Sequence, residues 1–203
     1  MKNERLNGKT VVITGASGGL GEQMAYLCAE SGANLFLLAR NRAKLDSIAA
    51  RIRDRYHVEC RPMEFDASQH EQIPAAFSRI FDQAGNIDVL VNNAGYGIFA
   101  EAGDADMKDV HGMFAVNVIG LIACTREVIP FMRARRSGHI INVASQAGKL
   151  ATPKSSVYSA TKHAVLGYTN SLRMEMAEHG VFVTAVNPGP IATNFFQTAD
   201  PGG

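Results

Sequence analysis

Apolar positions along this chain come in two alternating kinds of run. Short β-branched or leucine-rich stretches read as buried strands: 10–14 (TVVIT), 34–39 (NLFLLA), 58–64, 87–91, 139–143 and 181–186. The segments between them, 19–31, 42–55, 69–83, 107–133 and 155–178, are helical in composition. The first of these stops at Gly32, a C-cap, and the third at the breaker Ala84-Gly85-Asn86. The last strand closes at Asn187-Pro188-Gly189-Pro190. Six apolar strands with a helix between each pair predict a parallel sheet covered on both faces. With right-handed crossovers this is a three-layer, doubly wound α/β fold.

The first strand runs into Thr14-Gly15-Ala16-Ser17-Gly18-Gly19-Leu20-Gly21. Gly15 allows a tight exit from the strand, Gly19 a close approach to a pyrophosphate at a helix N-terminus, and Gly21 close packing of helix on sheet. A bare sharp turn would use the same glycines, so position matters: this loop follows the first strand of a βαβ unit. A carboxylate at the end of the second strand would select NAD by binding the ribose 2′-OH. The chain has Ala39-Arg40-Asn41-Arg42 there instead. Arg40, with Arg42 as a second candidate or a mere helix start, suits a 2′-phosphate, so NADP(H) is expected over NAD(H).

Six motifs together resemble the short-chain dehydrogenase/reductase family: the glycine loop, Asn92-Asn93-Ala94-Gly95, Asn117, Ser145, Tyr158-Ser159-Ala160-Thr161-Lys162, and Pro188-Gly189-Pro190-Ile191-Ala192-Thr193. They span residues 14 to 193 in the family's order. The resemblance implies a Rossmann fold and an oxidoreductase that moves a hydride between nicotinamide and a carbonyl or secondary alcohol. It implies Asn117, Ser145, Tyr158 and Lys162 as the catalytic set, with Lys162 also on the nicotinamide ribose and Asn117 holding a water in a proton relay. Asp66 and Ala67 would hold the adenine, though an N-cap for the following helix reads equally well. Asn93, Ala94 and Gly95 would line the adenosine ribose, and Pro188, Gly189, Ile191 and Thr193 the carboxamide and pyrophosphate. A basic residue common in NADP-preferring members is Gly18 here, leaving the 2′-phosphate to Arg40 and the Ser17 hydroxyl.

The catalytic set also makes sense from its own chemistry. Tyr158 and Lys162 are i,i+4 on one helical face. An ammonium there, like the positive nicotinamide, should draw the phenol's pKa toward working pH. Ser145 stands at the carboxyl end of the fifth strand, where ligands bind open sheets, and can hydrogen-bond the substrate oxygen. Taken singly, each of these residues has an ordinary packing, solvation or turn role as the alternative.

Candidate substrate walls are Tyr96, Ile98, Phe99, Gln146, Ala147, Leu150, Phe195 and Phe196, an apolar set; the last two also suit core packing or a lid. A carrier-bound 3-oxoacyl group is one specific substrate option. A non-catalytic NADP(H)-binding regulator is the alternative of another class. The whole chain, 1–203, reads as one dinucleotide-binding and catalytic domain, whose family resemblance implies a further helix and a seventh strand beyond Gly203.

Composition narrows the partners. Twenty Lys+Arg against 19 Asp+Glu give a net charge of +1, too balanced for a polyanion binder. The arginine groups 51/53/55 and 133/135/136 read as solvated helix faces, so no nucleic acid is expected. No unbroken run of eighteen apolar residues occurs, and the polar start leads straight into a strand, so neither a membrane span nor a signal peptide is expected. Cys28, Cys60 and Cys124 are far apart and the six His form no ligand pair; buried thiols in the cytoplasm and no metal are expected. The family resemblance implies a homodimer or homotetramer through helices 107–133 and 155–178, with Phe114, Val118, Ile122, Leu166 and Thr169 as outward candidates.

Overall fold

A computed structural model of the chain describes residues 4–189; Ile191, Thr193, Phe195 and Phe196 lie outside the described residues. Six strands, β1 (Thr10–Thr14), β2 (Asn34–Ala39), β3 (Cys60–Glu64), β4 (Val89–Asn92), β5 (Gly138–Val143) and β6 (Val181–Val186), form one sheet in the order β3-β2-β1-β4-β5-β6. Every pairing is parallel. The helices are α1 (Gly19–Glu30), α2 (Arg42–Tyr56), α3 (Ile73–Ala84), α4 (Met107–Phe114), α5 (Leu121–Arg135) and α6 (Ser156–Ala177).

The alternating side chains of each strand explain the three layers. Val12, Phe36, Leu38, Leu90 and Ile140 point to one face, where they pack with Phe77 and Ile80 of α3, Val128 and Met132 of α5, and Leu172 and Met176 of α6. Val11, Ile13, Leu35, Leu37 and Val91 point to the other, onto α1 and α2. That second face ends at β5: Phe182 and Val186 of β6 are exposed there.

The expected 107–133 helix is not one regular helix. Its middle, Ala115–Gly120, is a π turn between α4 and α5. Composition reports helicity but not a one-residue change in winding. Over Met107–Arg135 the mean hydropathy of an 18-residue window reaches 1.5, as apolar as a membrane span. The segment passes that test although it lacks an unbroken apolar run. Met113, Leu121, Cys124, Val128 and Met132 are buried in the fold.

Thr169, expected on an outward face, is fully buried and hydrogen-bonded to Asn142. Val118, Ile122 and Leu166 are partly buried around Leu121 and Val165. Among the described residues, the large apolar side chains that do face out on these helices are Met107, Ile119, Phe131 and Met174. The arginine groups have local partners: Arg51 meets Glu22, Arg53 donates to the Cys60 carbonyl, Arg135 to Ile87 and Arg136 to Glu178.

Candidate active site

Chain direction reverses across the sheet between β1 and β4, so their carboxyl ends open a crevice. The glycine loop occupies it. Gly15 and Gly19 have φ of 67° and 54°, which L side chains rarely adopt. A Cβ on Gly21 would strike the Gly15 carbonyl and the Asn93 amide, so α1 can start here only with glycine. Gly18 has open space around it, and the α1 N-terminus has no side-chain cap. Its first backbone N–H groups thus face a cradle that a cofactor phosphate would fit.

The loop is tied to the end of β4 by Asn93 and Ala94 and by Thr14, whose side chain had no role in the sequence reading. Thr14 Oγ1 accepts from the N–H groups of Asn93 and Ala94, both at 3.0 Å. Asn93 Nδ2 donates back to the carbonyls of Thr14 and Gly15 at 3.0 and 3.1 Å. Arg40 follows β2 and is exposed. Arg42 is held by Asp46 at 2.9 Å, an i,i+4 pair on the start of α2, which favours its helix-face reading. Asp66 accepts from the Ser68 N–H and hydroxyl in a local turn. It is not the N-cap of the next helical segment, whose caps are Gln69 and Gln72.

The catalytic set converges at the carboxyl ends of β4 and β5. Tyr158 and Lys162, one turn apart on α6, are 8% and 5% exposed. Lys162 Nζ lies 5.6 Å from the Tyr158 ring centre and donates to the Val143 carbonyl at 3.0 Å. Burial lowers its pKa to about 8. Burial also raises the Tyr158 pKa, opposed by a hydrogen bond with Ser145. The expected downward pull from Lys162 is not among the causes: burial sets the direction and only the Ser145 hydrogen bond opposes it. Ser145 Oγ also accepts from the Ala147 N–H at 3.1 Å, which fixes its rotamer.

Asn117, in the π turn, is 1% exposed and its amide is fully used. Oδ1 accepts from the Tyr96 N–H at 3.0 Å; Nδ2 donates to the Tyr96 carbonyl at 2.8 Å and to Thr161 Oγ1 at 3.1 Å. The side chain positions backbone, leaving only its main-chain carbonyl as a seat for the expected relay water. A Cβ on Gly95 would lie 3.1 Å from Asn117 Oδ1 and 3.6 Å from Lys162 Nζ, so Gly95 keeps the two close.

The substrate candidates separate. The Phe99 ring meets the Tyr158 ring edge-on at 5.9 Å. Gln146 joins Ser145 to the last turn: its N–H donates to the Pro188 carbonyl at 2.9 Å, and its side chain lies against Gly189. Leu150 is exposed nearby in sequence. Ile98 instead lines a cavity of about 80 Å³ with Val110, Met113 and Val157. Tyr96 also departs from expectation. Its hydroxyl rests on Gly112 of α4, and burial and Asp109 raise its pKa, against Arg40 and with Asp66. The Asn117 amide clamps the Tyr96 backbone on both its N–H and its carbonyl.

The family described as short chain dehydrogenase matches residues 9–202. The chain belongs to that family. Its six-stranded sheet and glycine loop are the Rossmann-type dinucleotide fold of short-chain dehydrogenases, oxidoreductases acting on CH–OH groups. A Schizosaccharomyces pombe NADP-dependent 3-hydroxy acid dehydrogenase is 35% identical over 94% of this chain and 74% of the relative. A short-chain dehydrogenase from Sphingobium yanoikuyae in complex with NADPH superposes with a TM-score of 0.89 at 31% identity, over 94% of this chain and 74% of that one. One from Burkholderia phymatum in complex with NAD gives 0.91 at 30%, over 97% and 70%.

Proposed function

We propose that this short-chain dehydrogenase is an NADP(H)-dependent reductase of a small carbonyl compound, with Tyr158 as the proton donor to the nascent alcohol. The observation that carries this reading is the cluster of buried Tyr158 and Lys162 with half-buried Ser145, joined through the 93–95 segment to an uncapped, glycine-lined helix N-terminus. Backbone of Gly15, Ser17, Gly18, Gly19, Leu20 and Gly21 would hold the pyrophosphate, Arg40 and Ser17 the 2′-phosphate, and Asp66 with Ala67 the adenine. Asn93, Ala94 and Gly95 would border the ribose. Pro188 and Gly189, followed by Ile191 and Thr193, would complete the nicotinamide side.

When bound, the nicotinamide supplies or accepts the hydride at the substrate carbon. Ser145 Oγ hydrogen-bonds the substrate oxygen and holds it against Tyr158. The Tyr158 hydroxyl gives its proton to that oxygen as negative charge develops, at a barrier reduction worth roughly 10²–10⁴ in rate. A raised pKa keeps the phenol protonated at neutral pH, the form that reduction needs. Lys162, held by the Val143 carbonyl, stabilises the phenolate left behind, which would regain its proton by way of a water held at Asn117. Phe99 and Gln146 border the substrate. The exposed Ile119 and Met174 give the 107–135 and 156–177 helices a surface for pairing two copies, and the buried free thiols suit the cytoplasm.

The test is NADPH oxidation and NADP⁺ reduction at 340 nm, with 3-hydroxy and 3-oxo acids first, then 3-oxoacyl thioesters, free ketones and aldehydes. Turnover with one class, and a preference for NADP(H) over NAD(H), is the expected result. NADPH binding with no turnover across the panel would instead make the protein a dinucleotide-binding regulator.

A further inference from the structure

Asn117 owes its position to the π turn Ala115–Gly120, a winding that persists only where its surroundings hold it. Two contacts hold this one, and both come from the segment that follows β3. His70 Nε2 lies 2.8 Å from the Ala115 carbonyl oxygen. A carbonyl only accepts, so the ring donates from Nε2, which fixes its tautomer. At the other end of the turn, Gly120 sits so close to the Ala67 carbonyl that a Cβ would collide with it. Asn117 stands between these two anchors, gripping Tyr96 and Thr161.

We propose that His70 is a positioning residue: it pins the π turn to the 66–70 segment, so that ordering of this segment by the adenosine end of a bound dinucleotide reaches Asn117. The second half of this statement rests on the NADP(H) reading; the pinning itself does not. The link is one hydrogen bond at the Ala115 end and one close backbone contact at the Gly120 end, and neither His70 nor Ala67 belongs to the Tyr158–Ser145–Lys162 cluster. A glutamine can present an amide N–H where His70 presents Nε2–H, whereas leucine fills similar space and donates nothing.

The experiment is backbone hydrogen exchange on the intact chain, with and without 2′,5′-ADP, in wild type, His70→Leu and His70→Gln. His70→Leu should speed exchange of amides 116–121 by roughly three- to tenfold, the worth of one net hydrogen bond. Amides of α1 should be unchanged, and His70→Gln should return the 116–121 rates to near wild type. A merely structural histidine would loosen α3 and α5 together and would not be rescued by glutamine. 2′,5′-ADP should slow exchange over 116–121 in wild type and His70→Gln but not in His70→Leu. Wild-type exchange in His70→Leu, or equal speeding in both variants, overturns the pinning. Protection by 2′,5′-ADP that survives in His70→Leu overturns the transmission. Failure of 2′,5′-ADP to bind wild type overturns the NADP(H) reading and the transmission with it, while the leucine–glutamine contrast still decides the pinning.

Discussion

The strands on the two sides of the β1–β4 junction are filled differently. On the β1-β2-β3 side the interior is apolar: Val11, Val12, Ile13, Leu35, Phe36, Leu37 and Leu38 are all 3% exposed or less. On the β4-β5-β6 side the sheet buries amides and hydroxyls. Asn92 Nδ2 donates to Thr125 Oγ1 and Asn142 Oδ1, Asn142 Nδ2 donates to Thr169 Oγ1, and Thr169 donates to the Val165 carbonyl. Lys162 and Asn117 are buried on this side too, with partners of their own in Val143, Tyr96 and Thr161. The first side needs only a rigid platform that presents backbone N–H groups to phosphate. The second must hold individual side chains in one rotamer, and hydrogen bonds are directional where apolar contacts are not. Binding and proton transfer thus rest on different kinds of core.

The largest effect that would break this division is at Lys162. Lys162→Met should lower turnover by about 10²–10⁴, yet raise stability at pH 7 by roughly 1–3 kcal/mol, because an unpaired ammonium no longer has to be buried. The pH dependence has a definite sign. The folded pKa, about 8, lies below the ordinary lysine value. The unfolded chain therefore holds more protons between these values, and wild-type stability rises through that window. The advantage of Lys162→Met should shrink from about pH 8 upward in thermal melts; a constant advantage would place the charge elsewhere.

Next in size is a matched pair of core truncations read by denaturant unfolding and by turnover. Leu37→Ala should cost about 2–5 kcal/mol from a cavity, while the protein that remains folded turns over normally. Asn142→Ala should cost about 2–3 kcal/mol by unpairing buried groups, and should lower kcat as well. Equal kcat in both would mean that the polar stripe is only structural. The smaller effect is Arg40→Asp, which removes a charge-assisted contact worth about 1.5–3 kcal/mol. The NADPH KM should rise roughly ten- to hundredfold, converted at 1.4 kcal/mol per decade, with little change for NADH. An unchanged preference would move 2′-phosphate recognition to the loop backbone.

How much of this was legible depended on which core a residue belongs to. The runs of β1, β2 and β6 marked their ends to the residue: β1 and β2 are buried on both faces, and β6, buried on one face at Val181 and Val183, is bounded by Gly180 and by Asn187-Pro188. β3 and β4 each begin two residues later than expected, at Cys60 and Val89, since Val58 and Ile87 are apolar loop residues facing the core from outside the ladder. The motif residues Ser145, Tyr158 and Lys162 were readable and do converge. The polar stripe was not: Thr125, Asn142 and Thr169 carry no local spacing signal, and their partners are 27 to 50 residues away. The same limit hid the clamp on the Tyr96 backbone, whose partner is the amide of Asn117, 21 residues on.

The central claim is that this chain cradles the cofactor's phosphates on the β1–β2 half of the sheet and moves the proton with Tyr158 on the other. It is tested most directly by Tyr158→Phe, measured two ways on the same preparation. NADPH fluorescence titration should give a Kd within about fivefold of wild type, since the loss of one hydroxyl contact is worth about 1 kcal/mol. Turnover with the best carbonyl of the panel should fall by about 10²–10⁴. Turnover within a few-fold of wild type, with binding intact, would contradict the assignment of Tyr158 as the acid.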